Sequence, residues 1–177
     1  FFKHKTAYEI GVRLVGSEMC IRDRYRSKKI LIRLATEDDL LNITLIEKRV
    51  FRFPWSKDQI RWELSLQNVA ENYVMLGKDN IIGYIFTHKI DKDVQILNFA
   101  IDIAYQHQGY GEKLLYHVMD KLDEYSSIFL EVRKSNFPAI NLYLKFGFSE
   151  LGIREKYYND GEDAIIMKRE FLTHGVV

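Results

Sequence analysis

Cysteine is almost missing from this sequence. The single one among 177 residues is Cys20, so the rest of the chain can form no disulfide and holds no thiol nucleophile. No run of 18 apolar residues occurs, which leaves no candidate for a transmembrane helix. The stretch Phe1 to Arg13 lacks the apolar core that a secretory signal needs. Internal repeats, low-complexity tracts and Pro/Gly/Ser linkers are missing as well, and a cytoplasmic protein is expected. Nor does one sign of charge dominate, since 26 Lys/Arg stand against 25 Asp/Glu.

Residues 14–24, Leu-Val-Gly-Ser-Glu-Met-Cys-Ile-Arg-Asp-Arg, resemble one reading frame of a transposon adapter used in preparing sequencing libraries, and the first residue is Phe1, not Met. Residues 1–28 are therefore expected to be non-native, with one domain over residues 29–177. Once the seven basic and three acidic side chains of 1–28 are set aside, 19 basic and 22 acidic remain, a net charge near −3. The mild basicity of the whole belongs to the suspect segment, and no general nucleic-acid footprint survives. About 150 residues suit one domain that buries roughly two-thirds of its unfolded surface.

What is present is an alternation of strand and helix patterns. Ile30 to Leu34 alternates as a strand, and Thr36 is placed to cap a helix carrying Leu40, Leu41, Ile43, Ile46 and Val50. Pro54 disfavours helix at Phe53, and Ser56 can cap a second helix from Lys57 to about Leu66. Tyr73–Leu76 and Ile81–His88 read as a hairpin, followed by a long strand Val94–Ile103. Leu114, Leu115, Val118, Met119 and Leu122 mark a third helix ending near Tyr125. Ile128–Val132 is a strand, Pro138 and Gly147 bracket a fourth helix, and Phe148–Ile153 and Ala164–Lys168 close the chain as strands. The order predicts an α/β domain with a mixed central sheet of about seven strands, flanked by about four helices and carrying one parallel pair.

Between the long strand and the third helix lies Gln106-His107-Gln108-Gly109-Tyr110-Gly111. A glycine-bearing turn feeding a helix exposes N–H groups without intrahelical partners, and the helix dipole adds partial positive charge, so the place suits a pyrophosphate. The spacing Q-x-x-G-x-G is neither the Walker nor the Rossmann loop. It resembles the coenzyme A loop of GCN5-related N-acetyltransferases (GNAT). Ile128 to Asn136, Ala139 to Tyr143 and Phe146-Gly147-Phe148 follow in series, with Phe53-Pro54-Trp55-Ser56 before them and Tyr157-Tyr158 and Asp163 to Met167 after. Over about residues 30–170 the chain resembles the bacterial ribosomal-protein alanine N-acetyltransferases of the RimI type.

An α-amino group has a pKa of about 8 and must lose a proton before it attacks an acetyl group. Glu131 interrupts an otherwise apolar strand, where apolar neighbours would favour its neutral form and suit a general base; the resemblance gives this position that role. The alternative is a solvent-facing glutamate or a partner for Arg133. Tyr143 shares a helix face with Ala139 and, by resemblance, protonates the departing coenzyme A thiolate. Asn136 matches a cofactor-contacting asparagine and can also be an N-cap. Phe99, Ala100 and Ile101 match the strand that pairs with the acetyl-pantetheine arm. Gln106, His107, Gln108, Gly109, Tyr110, Gly111 and Glu112 match the pyrophosphate loop. Glu112 departs from the usual basic residue and is expected to point away.

Phe53 and Trp55, with Tyr157 and Tyr158, are candidates for the walls of an acceptor groove, with plain packing as the other reading. Trp62 reads as core or groove wall. His88, His107 and His117 lack metal-site spacing, so no metal is expected. The resemblance implies an acetyl-CoA-dependent N-α-acetyltransferase that works by direct transfer, there being no domain thiol to hold an acetyl group. Its implied acceptor is a protein N-terminus, plausibly the N-terminal alanine of a ribosomal protein. A small amine or lysine side chain as acceptor, or an acyl-CoA sensor without turnover, are the alternatives. No nucleic acid or membrane partner is expected, and the oligomeric state has no signal in the sequence.

Overall fold

Helix starts follow the polar residues that precede them. In the computed structural model, which describes residues 30–66, 68–78, 80–122 and 127–171, strand β1 (Ile30–Leu34) leads through Thr36 into a 3-10 turn (Glu37–Asp39) and helix α1 (Leu40–Val50). The Thr36 N–H donates to Asp39 at 2.8 Å, and Arg33 grips the same carboxylate with two hydrogen bonds of 2.7 and 2.8 Å. Ser56 opens α2 (Lys57–Ser65) with a reciprocal box: its hydroxyl accepts from the Gln59 N–H, and the Gln59 side chain accepts from the Ser56 N–H. Residues 1–28, taken above as non-native, lie outside the described residues.

The rest follows in the expected order: β2 (Tyr73–Gly77), β3 (Asn80–Ile90), β4 (Asp93–Ile101), a 3-10 turn (Ile103–Tyr105), α3 (Tyr110–Lys121), β5 (Ser127–Arg133), α4 (Phe137–Lys145), β6 (Ser149–Arg154) and β7 (Ala164–Glu170). One seven-stranded sheet runs β1-β2-β3-β4-β5-β7-β6. Every neighbouring pair is antiparallel except β4 with β5.

Apolar side chains cover both faces of this sheet. On one face α3 lays down Leu114, Leu115, Val118 and Met119 against Met75, Ile82, Ile85, Ile96, Ile128 and Leu130, and α4 adds Ile140 and Tyr143. On the other, Ile43 and Ile46 of α1 and Ile60 and Leu64 of α2 pack on Val74, Tyr84, Phe86 and Ala100. Each fully buried aliphatic side chain contributes roughly 1.5–3 kcal/mol, so the helices are held by their apolar faces more than by intrinsic propensity.

Two irregularities coincide in the middle of the sheet. The register between β3 and β4 slips so that Phe86 faces Asn98 while Thr87 faces Ile96, which leaves Leu97 as a bulge. The β4–β5 ladder also ends at Ile96 and Leu130, although both strands continue. Beyond it β5 is held by β7, with Glu131 opposite Ile166. The edge of β4 from Leu97 to Ile101 therefore faces a gap, and Glu131 is the first β5 residue past the fork.

Candidate active site

The loop after β4 is shaped by its own short-range contacts. The Tyr105 N–H donates to the Asp102 carbonyl at 2.7 Å, the Gln106 side chain to the Ile101 carbonyl at 2.9 Å, and the Gln108 side chain to the Ala104 carbonyl at 3.0 Å. Gln106 thus uses one amide hydrogen to brace the loop. His107 and Gly109 adopt positive φ of 57° and 79°, and Gly109 caps α3 in the left-handed region that glycine enters without cost. Alternating helical signs turn successive N–H groups toward one concavity. By helix geometry the N–H groups of Tyr110, Gly111 and Glu112 have no carbonyl behind them. At Gly111 an added Cβ would meet Ile101, Leu142 and Phe99 only at 3.7 Å, so the protein itself leaves room there. Glu112 pairs with Lys145 at 2.7 Å.

Beside this concavity stands the unpaired edge of β4. Ala100 and Ile101 are buried and Phe99 half-buried against α3, leaving main-chain groups as what the segment can offer an extended ligand. Asn136 begins α4, its side chain accepting from the Ala139 N–H at 3.3 Å. The cap reading therefore holds at this position.

Tyr143 reaches the same region from α4. It is 7% exposed, and its ring packs on Phe148 with centroids 5.6 Å apart. Burial, with Tyr158 nearby, pushes its phenol well above the ordinary range. It therefore stays protonated at neutral pH, as a proton donor must. Among the described residues nothing hydrogen-bonds to its hydroxyl.

Glu131 is not surrounded by apolar groups as its strand suggested. Its carboxylate pairs with Arg154 of β6 at 2.9 Å and accepts from the Tyr157 hydroxyl at 3.2 Å, while the Glu131 side chain is 15% exposed. Burial, then the carboxylate, raise the Tyr157 phenol. Arg133, the partner suggested by sequence, is engaged elsewhere: it pairs with Asp160 and Glu162 at 3.0 and 2.7 Å and lies 3.9 Å over the Tyr158 ring. Burial pushes the Tyr158 phenol up to about 12, against the opposing pull of Arg133. Tyr157 and Tyr158 meet edge to face at 5.2 Å. The hairpin carrying both tyrosines is fastened to β5 by these contacts.

On the other side, Trp55 stacks on Phe86 at 5.7 Å, and Phe53 is exposed under the Arg52 guanidinium. Trp62 is 65% exposed, so it is wall and not core. With Trp55, Ser56, Asp58, Gln59 and Glu63 it lines an open groove of about 320 Å³. His88 is paired with Glu63 at 2.6 Å. No group of His, Cys, Asp and Glu among the described residues is arranged to hold a metal ion, and no described helix is long and apolar enough to cross a membrane.

Sequence reasoning missed a buried polar cluster behind these walls. Glu47 of α1 is 1% exposed and accepts from the Tyr84 hydroxyl at 2.7 Å and from the Asn98 side chain. Burial raises its carboxyl despite those donors. A signal existed: Glu47 falls one turn after Ile43 and one before Val50, on the apolar stripe of its helix.

A left-handed glycine loop at a helix start beside a forked parallel pair now has independent support. Residues 38–148 match the acetyltransferase (GNAT) family. The chain belongs to the GNAT family. It is 38% identical over 130 residues to the ribosomal protein bS18-alanine N-acetyltransferase of Escherichia coli K12, covering 69% of this chain and 84% of that protein. The corresponding enzyme of Haemophilus ducreyi is 35% identical over 146 residues, covering 77% of this chain and 97% of its own. The crystal structure of the Escherichia coli ribosomal-protein-S18-alanine N-acetyltransferase superposes with a TM-score of 0.78 at 33% identity, over 84% of this chain and 97% of that one. The GNAT fold, a mixed sheet of seven strands with four helices, is as the sequence led one to expect. This chain is an acetyltransferase enzyme, and acetyl-CoA is the donor its family uses.

Proposed function

We propose that this enzyme acetylates the N-terminal alanine of a ribosomal protein by direct transfer from acetyl-CoA, with Glu131 as general base and Tyr143 as general acid. The observation that carries this reading is the fork itself: Glu131 is the first β5 residue past the β4 ladder, while Tyr143 of α4 packs in the core with Leu130 and Val132. The side chains of these strand neighbours of Glu131 point to the opposite face of the sheet, so the two groups flank the gap from its two sides. Similarity to enzymes named for bS18 alanine supports the acceptor. The donor fits the site as well, because the β4 edge from Leu97 to Ile101 is unpaired, Gly111 leaves space, and the first N–H groups of α3 are free for phosphate oxygens. No metal enters the scheme.

The chemistry needs the ammonium to lose two protons and the thiolate to gain one. Glu131 takes the first proton of the incoming ammonium, directly or through water. The neutral amine forms the new C–N bond with the acetyl carbonyl carbon, the C–S bond breaks as the thiolate takes the proton of the Tyr143 hydroxyl, and the surplus proton on the new amide nitrogen returns to the tyrosinate through water. Arg154 and Tyr157 orient the Glu131 carboxylate, and the two hairpin tyrosines wall the acceptor. The enzyme works in the cytoplasm. A panel of N-terminal peptides, lysine peptides and small amines, read by mass spectrometry, tests the proposal. Acetyl should appear on the α-amine of peptides that begin with alanine; modification of only lysine or small amines would overturn the acceptor assignment.

A further inference from the structure

The acetyl donor and the acceptor are served by segments far apart in sequence, yet one helix touches both. From the last turns of α1, Glu47 and Arg49 reach β4 at two points that bracket Phe99–Ile101. Glu47 accepts from the side chain of Asn98, just before the segment. Arg49 grips Asp102, just after it, with Nε and Nη2 on the two carboxylate oxygens at 3.2 and 2.5 Å. Asp102 is the hinge point of the loop: its N–H donates to Ile82 and its carbonyl accepts from Tyr105. A planar guanidinium held at two points fixes direction as well as distance, which a single lysine contact would not.

The same turn of α1 governs the acceptor side. Its C-cap is Phe51, whose N–H donates to the Glu47 carbonyl at 2.9 Å, and the chain then runs directly into Phe53-Pro54-Trp55. The backbone N–H of Trp55 lies close enough to favour the charged form of the Glu47 carboxyl, although Oε2 completes no hydrogen bond among the described residues. The Asp102 side chain is 12% exposed and that of Arg49 46%. The pair stands at the edge of the site, where nothing requires it to contact a reacting atom.

We propose that Arg49 and Asp102, with Glu47 and Asn98 behind them, are positioning residues that fix the acceptor wall Phe53–Trp55 relative to the cofactor strand Phe99–Ile101, so that seating coenzyme A and binding the acceptor are coupled through α1. Ordering of Phe99–Ile101 and the loop by the donor is transmitted to the wall by the Arg49 fork. By linkage the acceptor must strengthen donor binding by the same factor. This inference rests on the function proposed above for the identity of the acceptor, and on the fold alone for the coupling.

The experiment is a thermodynamic cycle. Binding of an alanine-initiated peptide is titrated calorimetrically with and without saturating coenzyme A, which lacks the acetyl group and allows no turnover, in the wild type, Arg49→Met, Asp102→Asn and the double variant. Coenzyme A should tighten peptide binding in the wild type by at least about fivefold, the lower end of ordinary coupling. In each single variant that factor should fall toward one, and the double variant should lose no more than either single, because both act through one contact. A role in stability alone would lower the melting temperature and leave the factor intact. Should Arg49→Met not fold, Arg49→Lys keeps the charge and drops the fork, and it should lose most of the factor too. An unchanged factor in folded variants, or none in the wild type, overturns the inference while the enzyme assay stands. A wild type that acetylates amines but no N-terminal peptide overturns the acceptor assignment instead, and the cycle is then read with the amine that is acetylated.

Discussion

The proposed donor side and acceptor side of this site are built in opposite ways. On the donor side the loop from Asp102 to Gly111 is closed by contacts between residues four and five apart, such as Gln108 to Ala104 and Gln106 to Ile101, and the groups proposed to bind the donor there are main-chain N–H groups. On the acceptor side the contacts that shape the site span 26 to 29 residues, as between Tyr157 and Glu131 or Arg133 and Glu162, and they are side-chain contacts. A loop of the first kind tolerates changes of side chain but not of backbone shape. A wall of the second kind can be loosened by one charge far from the chemistry. Away from the Arg49–Asp102 contact that links them, substitutions should therefore fall into those that chiefly raise the requirement for acetyl-CoA and those that chiefly spoil use of the acceptor.

The largest effect should come where the two sides meet. Glu131→Gln keeps the shape and removes the proton acceptor, so turnover at neutral pH should fall by about 10²- to 10⁴-fold while acetyl-CoA binding, measured by titration, holds. Loss of binding together with turnover would mean that Glu131 belongs to the donor side, and the division would fail. Tyr143→Phe should lower kcat by about 10- to 100-fold without alkaline recovery, since amine activation is untouched. Burial keeps the Tyr143 phenol above its ordinary range, so the wild type should show no loss of this acid as pH rises to about 9.

Gly111→Ala sharpens the comparison from the donor side. The new methyl group meets protein only at ordinary contact distance, so the fold should stand while the KM for acetyl-CoA rises by about tenfold, the value of one hydrogen-bonded charge contact. The KM for the acceptor should hardly move. Gly109→Val adds strain at a φ of 79° and should also lower the melting temperature. The smallest effect belongs to Arg133→Met, which removes the two ion pairs, to Asp160 and Glu162, that fasten the tyrosine hairpin to β5. Partly exposed ion pairs contribute about 1 kcal/mol or less, and both of these share one guanidinium, so kcat/KM for the acceptor peptide should fall by no more than about fivefold in all. The KM for acetyl-CoA should stay constant; an equal rise in it would show that the two sides are not separate here.

The same contrast explains what could be read from the sequence. Helix caps at Thr36, Ser56 and Asn136, the strand order and the glycine loop all depend on residues within one turn of each other, and local pattern revealed them. Strand ends differ by a residue or two, as at Ile101, where the sheet stops two residues before the apolar run does because Ile103 begins a 3-10 turn. The partners of Glu131 were not legible. Arg154 comes within reach of it only through the β6–β7–β5 pairing, two residues along from Gly152, which Ile166 sets in line with Glu131, and nothing in an apolar strand announces that register. Glu47 was legible in principle, as a charge at a core position of α1, while the Arg49–Asp102 contact spans 53 residues with no local mark at either end.

The assignment of Glu131 is tested most directly by the pH dependence of kcat for Glu131→Gln at saturating acetyl-CoA and alanine-initiated peptide. An α-amine with a pKa of about 8 sheds its own proton as the solution becomes alkaline. The rate of the variant should therefore rise by up to about tenfold between pH 7 and about 9, in step with the neutral amine, and so recover part of the loss, while Tyr143→Phe shows no such recovery. A Glu131→Gln variant that matches the wild type at every pH would contradict the account, and so would one that stays equally impaired throughout.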